Sequence, residues 1–508
     1  MANSNPANKQ FSYVRHQPEE TVLYKLVQNN WLPFQDQVLQ DTGYPLPDFV
    51  VKEFDEYLRC GILAYGFLRA QCASCHYEHL VAFSCKRRGF CPSCGGRRMS
   101  ETAAHLVDSV LPVQNIRQWV ISFPFRLRLC LAVKPKIMAR ALKITHAAIS
   151  KYYQKKTGLQ KCAAKTGAVT LIQRFGGSLN CNPHFHQLFI DGCYELGPAG
   201  EPIDFFVANT PTLSELDKVL NQIIKRFTKY LETQKIIVKD SEESFQLEIP
   251  EEDTFSKLQA SSITYRFTTG PSKGKKAMVL KTLPDGDHNS KSGLVAKNSG
   301  FSLHAGVATK ANERDKLEKI CRYIARPAVA EERLSITAAG DVIYKFKKPW
   351  DDGTAAIKLT PMELMERLVA LVPRPRVHLT RYHGVLGPHY KYRKNIVPKK
   401  KPELSLSSAK SVAEPVADAP TSSEPEKPAS AKRMSWARLL KRVFNIDISL
   451  CSKCAGQIKI VAAIEDPKVI KKILEHLGLP WTAPRLAQAR GPPPADQSDF
   501  FAQEFFEN

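Results

Sequence analysis

Apolar residues return along the chain at two spacings. In WVISF, AVTLIQRF, HFHQLFI and GFSLHAGV they are dense, β-branched and aromatic over short runs, which predicts strands. In IMARALKITHAAISKYYQK and LSELDKVLNQIIKRFTKYLETQK they recur every three or four positions, which predicts two long amphipathic helices. NERDKLEKICRYIARP reads as another, with Leu317, Ile320 and Ile324 as its buried stripe and the Arg326-Pro327 step as its end. Strands and helices mixed over residues 116–350 predict one α+β domain. Within it, about 240–300 is rich in Pro, Gly, Ser and charge and reads as long loops or an insertion.

Residues 1–115 form a first unit, closing on SETAAHLVDSVLP, where Ser100 is a plausible N-cap. Residues 351–401 read as a basic extension and 402–432, with their Pro, Ala, Ser and Glu, as a disordered linker. A CxxC-bearing unit follows at 433–480: an amphipathic helix around Trp436–Phe444, then a strand (IKIVAAI) and a helix (PKVIKKILEHLGL). Residues 481–508 read as a disordered tail. No internal repeat of solenoid period is present.

Composition narrows the class. The chain has 508 residues, 73 Lys and Arg against 50 Asp and Glu, and a net charge of +23. Such a surplus of cations suits a polyanionic partner, nucleic acid first. An apolar fraction of 43% excludes a wholly disordered chain. No uncharged apolar run reaches the length of a membrane span, and the N-terminus lacks a secretory h-region, so a cytoplasmic protein is expected.

Thirteen cysteines, an odd number without a secretory signal, argue against a disulfide framework. Five cluster between Cys72 and Cys94. Cys72-x-x-Cys75 and Cys91-x-x-Cys94, fifteen residues apart, have the spacing of a closed four-thiolate zinc site, with Cys85, His76 or His79 able to replace one ligand. Cys60, Cys130, Cys162, Cys181, Cys193 and Cys321 read as small buried hydrophobes. Cys451-x-x-Cys454 is half a site, with His476 as a further candidate ligand; no second CxxC follows it in the tail.

On the strand CNPHFHQLFIDG, His184 and His186 face one side with Leu188 and Ile190, and Phe185 and Phe189 face the other. Two imidazoles on one side of a sheet can hold a divalent ion with open positions for substrate oxygens. His304 is the first choice for a third ligand, with Asp191 and Gln187 as alternatives. Tyr323 lies on the flank of its helix among Lys319, Arg322 and Arg326, as a nucleophile facing a phosphodiester would.

These residues resemble the HUH nucleases (histidine, bulky hydrophobic residue, histidine) and, more closely, the insertion-sequence-91 family of transposases. The resemblance runs collinearly through FLRAQCASCHYEHLVAFSCKRRGFCPSCGGRRMSETAAHLVDSVLP, WVISFPFRLR, NPHFHQLFIDGCYE, FSLHAGV, CRYIARPAVAEERLS, VHLTRYHGVLGPH and WARLLKRVFNIDISLCSKCAG. It implies a five-stranded antiparallel sheet with flanking helices and the histidine pair on a central strand. It also implies Mg²⁺ or Mn²⁺ at the histidines, Zn²⁺ at the N-terminal cysteines, and attack by Tyr323 that leaves a 5′-phosphotyrosine and a free 3′-hydroxyl. The expected partners are single-stranded element ends and target DNA, and the expected process is rolling-circle transposition.

The founding branch of that family carries two tyrosines four residues apart. Here Lys319 and Pro327 occupy the positions one turn either side of Tyr323, so the chain resembles the one-tyrosine branch. A single nucleophile needs a second subunit, hence a homodimer, or a 3′-hydroxyl as the second attacking group. Phosphate contacts are expected from Lys86, Arg87, Arg88, Arg97, Arg98, Lys319, Arg322, Arg326, Arg374, Arg376 and Arg381, with tyrosines of the basic extension stacking on unpaired bases. The alternatives are a replication initiator or relaxase of the same chemistry, or an inactive zinc-containing DNA-binding protein.

Overall fold

The strand Cys181–Ile190 is an inner strand of a six-stranded sheet. In the computed structural model, which describes residues 17–160, 163–239, 245–247, 253–282, 293–398, 442 and 449–487, that sheet is antiparallel throughout. From edge to edge it runs Val295–Asn298, Phe301–Thr309, Ile116–Ser122, Cys181–Ile190, Gly167–Phe175 and Thr380–Gly384. All four strands read from the sequence are present. The sheet has six strands rather than five because Thr380–Gly384, from the basic stretch, pairs along the edge of Gly167–Phe175. Alternation places Tyr382 against one apolar face and His383 on the other.

Helices cover both faces. On one, Leu188 and Ile190 meet Leu317, Cys321 and Ile324 of the helix Arg314–Ile324 and Leu106 and Val107 of the helix Pro92–Ser109. On the other, Phe185 and Phe189 meet the helices Pro135–Lys156 and Leu213–Thr233. Leu213–Thr233 begins with a capping box between Thr212 and Glu215, and its Leu216, Leu220, Ile223 and Phe227 supply the apolar stripe. Helix Pro92–Ser109 starts earlier than the sequence suggests. Its N-cap is Cys91, and Ser100 lies inside it, fully buried, with its hydroxyl donating back to Gly96 O.

The expected domain limits do not coincide with the cores. Helices Val22–Thr42 and Asp48–Arg59 share one core with Phe255, Leu258, Leu334, Ile357 and the helix Pro361–Leu371. Boundaries at 115 and 350 therefore cut through packed side chains. The segment 351–401 is not a separate extension: part joins that core and part the central sheet. Within about 240–300, read as long loops or an insertion, the helix Thr254–Ile263 is buried against Pro361–Leu371. In the tail, the strand Ile458–Ile464 and the helix Pro467–His476 form as expected, but not as a unit of their own. The strand pairs with Phe67–Cys72, and Ile470 and Leu474 pack on Leu63 and Phe67. So short a unit buries too little apolar surface alone. The linker at 402–432 and most of the helix around Trp436 lie outside the described residues, within which no helix is long and apolar enough to cross a membrane.

Behind the sheet, His146 stacks on His383 with ring centroids 4.4 Å apart. Burial pushes the His146 imidazole down to about 3 and that of His383 to about 4; protonated His383 would further oppose a charge on His146, and Arg381 opposes one on His383. An unfolded histidine titrates near about 6.5. As pH falls below that value the unfolded chain takes up protons that the folded one refuses, so stability declines from about pH 6.5 toward about pH 4. The urea midpoint should drop across this window, and His146→Phe, measured over the same range, should drop less.

Candidate functional site

His184 and His186 project from the face that carries Leu188 and Ile190, with their Nε2 atoms 3.1 Å apart. His184 Nδ1–H donates to Asn182 O at 2.8 Å, which leaves the His184 Nε2 lone pair directed into the site. His186 Nδ1 lies 2.7 Å from the amide of Gln118 on the neighbouring strand. With that amide turned so that its oxygen accepts from Nδ1–H, both Nε2 atoms present lone pairs. Burial holds His184 down at about 4, and the Arg326 and Arg128 charges act in the same sense. His186 sits well below the usual range, first through burial and then through His184, Arg326 and His304. Both imidazoles are therefore neutral at pH 7, the form that binds a metal.

Gln173 stands opposite His184 in the cross-strand register. Its amide nitrogen donates to Ile324 O at 3.1 Å, at the end of the helix Arg314–Ile324, and this fixes the amide orientation. Gln173 Oε1 is then a buried acceptor with no partner among the described residues. Two imidazole nitrogens beside an unpartnered carbonyl oxygen fit a hard divalent cation. His304 is on the same face but two strands from His186, across Val120, and the three histidines do not gather within 4.8 Å. Asp191 and Gln187 belong to the opposite face. There Asp191 accepts from Arg117 and from Tyr153, which disposes of it as a ligand for this site. Gln118 and Gln173 escaped the sequence reading; their one signal was an amide within a mostly apolar strand.

The Gln173 bond lays the end of the tyrosine helix over the histidine face. Tyr323, 46% exposed, lies between two cations: Arg326 Cζ is 4.5 Å and Lys347 Nζ 4.9 Å from its ring centroid. Arg326 thus contacts the tyrosine while its charge reaches both imidazoles. Arg314 anchors the other end of this helix, donating to Pro112 O and Leu111 O beyond the helix Pro92–Ser109. At Gly95 in that helix an added Cβ would stand 2.6 Å from Pro327 Cβ, so only glycine permits this approach.

The cysteine grouping differs from the sequence expectation. Cys91 and Cys94 join Cys60 and Cys85, whereas Cys72 and Cys75 join Cys451 and Cys454. Cys72, Cys75, Cys91 and Cys94 do not form one site, because Phe67–Cys72 carries its CxxC into a sheet with Glu78–Ala82 and the tail strand. Cys60, read as a core hydrophobe, stands with its sulfur 3.7 Å from Cys94 and 3.8 Å from Cys91; Cys85 is 3.4 Å from Cys94. These are tetrahedral edge lengths for zinc–sulfur bonds of about 2.3 Å. Neighbouring thiols donating toward Cys94 hold it far below its ordinary value. Cys130, Cys181, Cys193 and Cys321 are buried, and Cys162 is outside the described residues. Cys60→Ser should cost the chain bound zinc and thermal stability while Cys130→Ser retains its zinc, which metal analysis and a melting curve will read.

Of the cations expected on DNA, several serve the fold. Arg87 pairs with Glu56, Arg97 with Glu101, Arg322 with Glu318 and Arg374 with Asp253. Arg88 donates to Val377 O, and Arg98 to the carbonyls of Lys86 and Arg87. Lys86, Lys319, Arg376 and Arg381 are exposed.

Residues 27–123 match the family model described as "Transposase zinc-binding domain", and residues 167–394 match the one described as "Putative transposase". No curated protein and no solved structure matches the chain. The first span holds the Cys60, Cys85, Cys91, Cys94 cluster and the second holds the histidine pair and Tyr323. The N-terminal region is thus a zinc-binding domain joined to a DNA-processing transposase domain, and the chain belongs to the insertion-sequence-91 family of transposases.

Proposed function

We propose that the protein nicks and rejoins single-stranded DNA at the ends of a mobile element through a covalent bond to Tyr323, driving rolling-circle transposition. The supporting observation is the bond from Gln173 to Ile324 O, which sets the tyrosine helix over the face bearing both His Nε2 atoms.

Each group has a role. Arg326 and Lys347 bind the phosphate beside the phenol, and Lys319 and Arg381 track the flanking strand. Tyr323 Oη attacks phosphorus while the P–O3′ bond breaks. The phenolic proton passes to solvent, and the departing 3′-oxygen takes one up. One phosphodiester is exchanged for a phosphotyrosine diester, so no external energy source is needed, and attack by a 3′-hydroxyl reverses the step. Gln118 and Asn182 hold the imidazoles in the tautomers that expose Nε2. His184, His186 and Gln173 would hold Mg²⁺ or Mn²⁺, which when bound polarises a non-bridging phosphate oxygen. With one tyrosine per chain, the second transfer uses a partner subunit's tyrosine or a 3′-hydroxyl.

The test is covalent capture of labelled single-stranded oligonucleotides from the flanks of the encoding element, run on a denaturing gel with Mn²⁺ or with chelator. A metal-dependent adduct supports the reading. Binding without any adduct on cognate ends would favour an inactive DNA-binding protein.

A further inference from the structure

We propose that Cys72, Cys75, Cys451 and Cys454 form a second four-thiolate zinc site, closed between the N-terminal domain and the C-terminal tail. The four sulfurs lie within 4.8 Å of one another. Cys72 Sγ is 3.5 Å from Cys454 Sγ, and Cys75 Sγ is 3.5 Å from Cys451 Sγ. A disulfide needs about 2.05 Å. A tetrahedron with zinc–sulfur bonds of about 2.3 Å has edges of about 3.8 Å, close to these separations.

The backbone repeats the same turn at both halves. His76 N–H donates to Cys72 O at 3.1 Å, and Ala455 N–H to Cys451 O at 2.9 Å. Both His76 and Ala455 are left-handed, at φ 57° and 58°. Cys72 N–H returns to Tyr77 O, and Cys451 N–H to Gly456 O. Amides point at the sulfurs: Ser74 N–H at Cys72, Lys453 N–H at Cys451, and Gly456 N–H at Cys454, each at 3.4 Å. Such amides stabilise thiolate over thiol. Two loops of this form facing each other are how two CxxC turns present four thiolates to one ion. Ala73 N–H bonds Gln457 O between them, and Cys72 pairs with Ile458 where the two strands meet. At Gly456 a Cβ would come within 2.9 Å of Cys72 Sγ and 2.6 Å of Ser74 Oγ, so glycine is what lets the tail loop close on the N-terminal one.

Four thiolates are a soft, closed set that selects zinc and leaves no position for catalysis. The site's role is to staple. It holds the tail strand on Phe67–Cys72, and it sits nine residues downstream of Arg442, whose guanidinium pairs with Asp108 and, at 2.6 Å, with Glu318 of the tyrosine helix. Neither family match reaches Cys451 or Cys454.

The full chain, purified without chelator, should carry about two zinc ions by metal analysis. Zinc-edge X-ray absorption should show sulfur as the only first-neighbour element. Cys451→Ser with Cys454→Ser should lower the content to about one and expose the tail to limited proteolysis, while Cys193→Ser keeps two. Retention of two ions by the double variant would overturn the proposal. So would wild type with one ion, whether its Cys451 is alkylated under native conditions or found in a disulfide. If the double variant misfolds, the wild-type stoichiometry and absorption spectrum decide.

Discussion

Tyr323→Phe is expected to abolish the covalent protein–DNA adduct and to lower strand cleavage by at least about 10⁴-fold, the scale seen when a lone nucleophile is removed. Affinity for the same oligonucleotide should stay within roughly a factor of three, because it rests on cations that the change leaves in place. Arg326 and Lys347 both stand over the ring face, which phenylalanine keeps. The ring is half exposed and buries no hydroxyl bond, so the fold should be unaffected. Denaturing gels and a binding titration on one oligonucleotide read both quantities. Wild-type cleavage by the variant would remove Tyr323 from the reaction. Tyr344 is a poor substitute: it is buried, with its hydroxyl accepting from Ala330 N–H.

The second large effect is on stability. Asp191→Ala should destabilise the central domain by about 3–5 kcal/mol, the cost of leaving a buried cation without its partner. Arg117 Nε lies 2.9 Å from Asp191 Oδ1 and Nη2 2.8 Å from Oδ2, and both side chains are about 95% removed from solvent. Tyr153 donates a further 2.8 Å bond to the same carboxylate and accepts one from Trp119. Arg117 also donates to Ala305 O, so this network joins two strands, a helix and the residue that follows the strand Cys181–Ile190. Removing the carboxylate strands the guanidinium; removing both charges, in Arg117→Met with Asp191→Leu, should recover part of the loss. Denaturant unfolding of the single and double variants measures this. Equal losses in the two would mean that packing rather than charge dominates the network.

The two zinc-type clusters and the histidine face bear on one another through the tyrosine helix. Gly95, one residue past Cys94, touches Pro327, and Arg442, upstream of Cys451, pairs with Glu318. The N-terminal domain is therefore a wall against which the helix carrying Tyr323 is set, as well as a basic surface.

Local periodicity by itself determined a good deal. Alternation along CNPHFHQLFI put both histidines on one face and both phenylalanines on the other, and the structure has them so. The three-to-four spacing of Leu317, Ile320 and Ile324 set Tyr323 on the flank of its helix, where it is found half exposed. These are properties of one segment, settled by backbone geometry within a few residues. The tertiary structure decided whatever joins distant segments. A CxxC turn shows that two thiolates will be offered but not which other pair will meet them; the register of Phe67–Cys72 against Ile458–Ile464 made that choice across nearly the whole chain. Gln173 became part of the histidine site only because the end of another helix took its N–H and left its oxygen unpartnered. The core shared across the expected domain limits has the same origin: helix Val22–Thr42 and helix Pro361–Leu371 each bury an apolar stripe that looks complete alone, and only packing shows that each covers the other.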